Sequence, residues 1–128
     1  MSRPHTVLII DDDPQFRLTL TGYLEDSGYI VLEAGDGLEG LETFTRARPD
    51  IVLTDLRMPV LDGFGVITDI KRQSPATPVI ALTGTGDTRA PDEALRLGAW
   101  ACLSKPMEDL GILGAALALA LQDAGEQI

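Results

Sequence analysis

Four apolar runs of the 128-residue chain end on side chains that could act together. Thr6–Ile10 runs into Asp11, Asp12 and Asp13; Ile51–Thr54 stops on Asp55; Val79–Leu82 stops on Thr83; and Lys105 follows the run around Ala99–Leu103. Carboxylates gathered in a partly desolvated cleft raise one another's pKa unless a cation neutralises them. With oxygen donors alone, and no His or Cys among them, that cation should be hard: Mg²⁺ or Mn²⁺ with several retained waters, not zinc. A metal beside Asp55 would lower the repulsion against an incoming phosphoryl group, so the carboxylate could act as nucleophile in an in-line transfer. The product would be an aspartyl phosphate. Lys105 could then pair with phosphoryl oxygens while the Thr83 hydroxyl donates a hydrogen bond to another.

These residues meet only if the elements carrying them are parallel. Short β-branched runs such as Thr6–Ile10 and Ile51–Asp55 read as buried parallel strands, and open α/β sheets place their ligands at the carboxyl ends of such strands. Between the runs lie helical stripes. Pro14 with Asp13 as cap opens one that carries Phe16, Leu20, Tyr23 and Leu24, and Gly28 closes it. Tyr29–Ala34 is the second strand; Leu38, Leu41 and Phe44 mark a second helix ending before Pro49. Asp62-Gly63 turns into a helix with Phe64, Ile67 and Ile70, and a short helix with Pro91 near its start stops at Gly98. Ala99–Leu103 is the fifth strand, and a last helix over 108–122 puts Leu110, Leu113, Leu117 and Leu121 on one face. Five alternating β-then-α units predict an α/β fold, a doubly wound five-stranded parallel sheet covered on both faces, in a single domain over 1–128.

Composition narrows the partners. A formal charge of -10 argues against direct nucleic-acid binding, which needs clustered Lys and Arg. The single cysteine, Cys102, cannot form an internal disulfide, and the start Met1-Ser2-Arg3-Pro4-His5 has no apolar signal core, so a cytoplasmic setting is expected. The apolar stretch from Leu110 to Leu121 is shorter than the ~20 residues a bilayer demands. Gly114, Ala115, Ala116 and Ala118 leave room there for close helix contact, the basis for a homodimer through this helix and its neighbouring strand. Asp13 reads as a cap, and Trp100 as core or edge packing.

The motifs Val7-Leu8-Ile9-Ile10-Asp11-Asp12-Asp13, Asp55-Leu56-Arg57-Met58-Pro59 with Asp62-Gly63, Thr83-Gly84, and Lys105-Pro106 resemble, in order and spacing, the CheY-like response-regulator receiver domains of two-component signalling. The resemblance runs end to end and implies the flavodoxin-like (βα)5 arrangement. It implies that Asp55 accepts phosphate from the phosphohistidine of a sensor histidine kinase or histidine phosphotransfer protein. Asp12 would ligate Mg²⁺ directly, Asp11 through water, and Arg57 through its backbone carbonyl. Thr83 would be the switch hydroxyl, Lys105 the phosphate-sensing ammonium, and Lys105-Pro106 a cis bond. Cys102 stands three residues before Lys105, where many receivers carry the switch Tyr or Phe, and Met107 stands for a frequent Phe. Arg57 and Thr85 occupy positions that tune phosphate lifetime in the family. Tyr23–Gly28 and Lys105–Leu110 also resemble the receiver half of RssB-type regulators, which control a sigma factor, so the chain fits a fragment of a longer regulator with an output domain or protein partner.

Two rival readings stay open at this stage. Asp11-Asp12-Asp13 contains the Asp-x-Asp of haloacid-dehalogenase-type enzymes, which would make Asp11 the nucleophile; Gln15 and the missing cap domain disfavour it. The other is a receiver-shaped scaffold that only binds protein.

Overall fold

A computed structural model describes residues 3–84, 87–105 and 109–125. Its elements alternate: β1 (Thr6–Ile10), α1 (Pro14–Asp26), β2 (Ile30–Ala34), α2 (Gly37–Ala47), β3 (Ile51–Asp55), α3 (Gly63–Gln73), β4 (Val79–Thr83), α4 (Ala90–Arg96), β5 (Ala101–Ser104) and α5 (Leu110–Gly125). All strand pairs are parallel and the order is β2-β1-β3-β4-β5. The expected α/β fold is therefore present, and the order reverses between β1 and β3. That is the topological switch point, where the crossovers diverge and a crevice opens beyond the strand ends.

Alternation along each strand sorts the core into two layers. Leu8, Ile10, Val52, Val79 and Ala81 face α2, α3 and α4, where Phe44, Val66, Ile67, Ile70, Ala90 and Ala94 meet them. Val7, Ile9, Ile51, Leu53, Ile80 and Leu82 face α1 and α5, against Leu20, Leu24, Leu113, Leu117 and Ala120. Every residue of β3 and β4 is buried, which is why both read as unbroken apolar runs.

Helix starts follow local chemistry. The Asp13 carboxylate accepts from the N–H groups of Gln15 and Phe16, with Pro14 in the first turn. Asp36 and Asp62 cap α2 and α3 in the same way. Gly28 and Gly98 leave their helices at φ +99 and +113, values an L side chain rarely adopts.

Four expectations need correction. Tyr29 precedes β2, because its N–H bonds the Leu24 carbonyl to finish α1. The fifth strand begins at Ala101, since the Ala99 N–H bonds back to Ala94 at the end of α4. The last helix runs Leu110–Gly125, three residues past the expected end at Gln122. Leu38 is 51% exposed, and α2 instead meets the sheet through Gly40, Thr43 and Phe44. A Cβ on Gly40 would collide with the Ile10 side chain, so that glycine lets α2 approach β1. Gly114 likewise lies under the Tyr23 hydroxyl of α1, so its space is filled within the chain. Ile112, Ala115, Ala118 and Leu119 form the exposed side of α5.

Candidate functional site

Register brings the strand-end residues together. Ile10 pairs with Thr54, so the next residues, Asp11 and Asp55, leave the sheet side by side at the switch point. Thr83 ends β4 opposite Ser104, and the Lys105 N–H donates to the Thr83 carbonyl at 2.7 Å. A fold with three acids, a threonine and a lysine at the ends of four strands thus gathers them along one rim.

Carboxylate oxygens of Asp11, Asp12 and Asp55 all lie within 4.8 Å of one another. Asp11 is fully buried and Asp55 nearly so, while Asp12 is exposed. Three oxygen donors at this spacing fit a hard divalent cation, and no softer donor stands among them. The Lys105 Nζ lies between two of the acids, 2.7 Å from Asp11 Oδ2 and 3.4 Å from Asp55 Oδ2. Burial pushes the Asp55 carboxyl up; Lys105 pulls it down, Asp11 pushes it up again, and the net result lies above the usual carboxylate range. Burial also works against the Lys105 charge, but Asp11 and then Asp55 outweigh it and hold the ammonium above the ordinary lysine range.

Backbone contacts fix the acids. The Asp13 N–H donates to Asp11 Oδ1 at 2.9 Å, and the Arg17 guanidinium donates to the Asp11 carbonyl at 2.7 Å. The Arg57 N–H reaches Asp55 Oδ1 at 3.4 Å. Gly63 presses against the Asp55 backbone so closely that a Cβ would overlap the Asp55 carbonyl oxygen. The sequence marks Gly63 as a turn residue; the structure shows that it is needed for close approach.

Thr83 is buried, and its Oγ1 has no hydrogen-bond partner among the described residues. Buried hydroxyls are normally satisfied, so this one has a donor to spare for an acceptor placed within its reach. Cys102 is half-buried and sits opposite Ala81, which places it on the same sheet face as Thr83. Burial, followed by the Asp87 charge, raises its thiol pKa, so it packs as a small apolar group rather than a reactive thiolate. The Arg57 side chain crosses to Asp87 at 2.9 Å and covers the Phe64 ring at 5.5 Å. Asp87 Oδ1 also accepts from the Ala90 N–H at the start of α4. A cleft of about 480 Å³ is lined by Arg57, Phe64, Arg89, Asp92, Glu93 and Arg96, and by none of Asp11, Asp12 and Asp55. The interacting titratable groups Asp11, Asp55 and Lys105 meet at the acid rim instead. Pro106, with the expected cis bond, and Met107 and Thr85 lie outside the described residues. Sequence reasoning missed Arg17, read Phe16 only as core, and had no signal for the Asp87 contact. Trp100 is partly buried at the β5 edge and donates to Asp123 at 2.9 Å, as packing would have it.

Residues 7–117 match the model of the response regulator receiver domain. The chain is 42% identical over 100 residues to a probable transcriptional regulator, ycf27, of Guillardia theta, covering 78% of this chain and 39% of that protein. It is 36% identical over 125 residues to the transcriptional regulatory protein GlrR of Escherichia coli (strain K12), covering 98% of this chain and 27% of that one. It thus spans only about a quarter to two fifths of these relatives' lengths. Among solved structures, a response regulator receiver domain protein from Clostridium thermocellum superposes with a TM-score of 0.92 at 33% identity, over 97% of this chain and 99% of that one.

Proposed function

The chain belongs to the response regulator receiver domain family of two-component signalling, and from that premise we propose that Asp55 is its phosphoacceptor. The observation that carries this reading is the buried Asp55 carboxylate held between a second acid and the Lys105 ammonium. In the transfer, an Asp55 carboxylate oxygen forms the new O–P bond while the N–P bond of a phosphohistidine breaks. Its electron pair stays on the imidazole nitrogen. Lys105, already 3.4 Å from Asp55 Oδ2, turns to a phosphoryl oxygen, and the unpartnered Thr83 hydroxyl donates to another. Asp11, Asp12, Asp55 and the Arg57 carbonyl would hold Mg²⁺, or Mn²⁺ in its place. Bound there, the ion supplies positive charge against the phosphoryl oxygens.

The donor would be a sensor histidine kinase or a histidine phosphotransfer protein in the cytoplasm, and the reader an output domain or protein partner. Cys102, on the Thr83 face, takes the place of the switch aromatic. Sigma-factor control of the RssB type is one such output. Among the described residues no helix is long and apolar enough to cross a membrane.

Incubation with acetyl phosphate and Mg²⁺ tests the reading by intact mass and released phosphate. One phosphoryl group per chain, absent in Asp55→Asn, is expected. Many equivalents of phosphate released per chain, or label on Asp11, would favour a hydrolase; no label at all would favour a protein-binding scaffold. The exposed Ile112, Ala115, Ala118 and Leu119 of α5 support a homodimer through that helix. A monomer in sedimentation with and without beryllofluoride would remove it.

A further inference from the structure

Phe16 belongs neither to the acid cluster nor to the pair that handles the phosphoryl group, yet the Lys105 Nζ lies 4.3 Å from its ring centroid. The close neighbours of the ammonium include Asp11 at 2.7 Å, Asp55 at 3.4 Å and an aromatic face. A ring face attracts a cation through its quadrupole, and more strongly where water is kept out. Here the Lys105 side chain is only 19% exposed.

Local chemistry puts the ring in place. Asp13 accepts from the Phe16 N–H at 3.3 Å, and Pro14 sets the first turn of α1. The ring is half-buried against the core layer shared by α1 and α5. A leucine could fill that space equally well, but it would offer no π face.

We propose that Phe16 is a positioning residue for phosphoryl acceptance, holding the Lys105 ammonium between the β1 and β3 carboxylates and aiming it at Asp55. The inference rests on the reading of Asp55 as phosphoacceptor. A lysine chain is flexible, and its carboxylate partner must change when Asp55 becomes an acyl phosphate. The ring, like the Asp11 carboxylate, is a neighbour that does not change. It serves as a pivot, so the ammonium exchanges Asp55 Oδ2 for a phosphoryl oxygen without leaving its seat.

The test compares wild type, Phe16→Leu and Phe16→Tyr. In Mg²⁺-free protein, NMR of the Lys105 ε-methylene should show an upfield ring-current shift in wild type and Phe16→Tyr, and its loss in Phe16→Leu. With Mg²⁺ saturating, half-maximal beryllofluoride, followed at the Thr83 amide, should rise by about twofold to thirtyfold in Phe16→Leu and recover in Phe16→Tyr. A Lys105 ε-methylene at its random-coil position in wild type overturns the proposal. So do Leu and Tyr variants that behave alike, since volume alone would then matter. If wild type fails to take beryllofluoride, the phosphoacceptor reading falls by itself, and the ring-current shift still decides where Phe16 holds the ammonium.

Discussion

Lys105→Met removes one positive charge and keeps most of the stem that carries it. In a chelator, the variant leaves Asp11, whose side chain is fully buried, and Asp55, whose side chain is 10% exposed, facing each other without their shared cation. At an effective dielectric near 20, the lost attraction is about 6 kcal/mol at the Asp11 distance and about 5 kcal/mol at the Asp55 distance. The whole of that cannot appear as lost stability, because the pair can bind a proton instead. Protonating a carboxylate of ordinary pKa at about pH 7 costs about 4 kcal/mol, which sets the ceiling. A loss of about 3 kcal/mol is expected, in the range found when one partner of a buried pair is removed. With about 2.1 cal/mol/K of unfolding entropy per residue over the chain's 128 residues, this lowers Tm by about 11 °C.

The pH dependence has a definite sign. Asp55 titrates above its unfolded value, chiefly through burial, and in the variant the opposing pull of Lys105 is gone. An acid with a raised folded pKa contributes stability that is fully present below the unfolded pKa and is lost as pH rises through the folded one. The deficit of the variant should therefore shrink by about 1.4 kcal/mol per pH unit on acidification and vanish near about pH 4. Far-UV circular dichroism melts in chelator across that range measure it. A Tm within about 3 °C of wild type at neutral pH, or a deficit that ignores pH, would refute the reasoning.

Asp55→Asn removes the buried negative charge that faces Lys105. In chelator it should be more stable than wild type at neutral pH, with the advantage growing from the ordinary carboxylate pKa up to the raised one; urea titrations at several pH values would show it. Gly63→Ala should cost about 2 kcal/mol in urea denaturation, because the added Cβ has to displace the Asp55 carbonyl and the Leu56 Cα. Val60 holds φ +73 while 76% exposed, so its backbone is strained and its side chain packs little. Val60→Asn should raise stability by about 1 kcal/mol by thermal melting, since asparagine accepts this left-handed conformation more readily.

What the sequence disclosed, and what it did not, follows from how each residue is held. β1, β3 and β4 are buried on both faces, so they stand out as apolar runs, and the polar residue ending each run stands out with them. Asp11, Asp12, Asp55 and Thr83 were legible for that reason, whereas Lys105 follows the partly exposed β5 and stood out by its motif with Pro106. Gly40 and Gly63 were not, because a glycine that admits a close approach carries no hydrophobic signal. Leu38 misled for the converse reason: it is apolar and helically spaced, yet the small residues of α2 take the sheet contact. Phe16 fits the apolar stripe of α1, and periodicity cannot tell a ring that packs on leucine from one that also faces an ammonium. Arg17 reaches a backbone carbonyl, a partner no side-chain pattern reveals.

On the proposed reading of Asp55 as phosphoacceptor, the charges on the rim give a physical reason for switching. Lys105 pairs with two of three clustered carboxylates, so with all three ionised two negative charges are in excess, the number a divalent cation matches. Converting Asp55 to an acyl phosphate adds a further negative charge and new acceptor oxygens at the same place. Lys105 can answer the charge, and Thr83 the acceptors. The Thr83 hydroxyl is buried without a partner in the resting fold, a condition that costs about 1–3 kcal/mol. A phosphoryl oxygen within its reach removes that cost, so the modified conformation gains what the resting one gives up. Because Thr83 ends β4 and shares its sheet face with Cys102 on β5, satisfying the hydroxyl draws on the strand beside α4. On that reading, a charge change at Asp55 would bias the packing of β5 and α4 through the neighbouring strand β4.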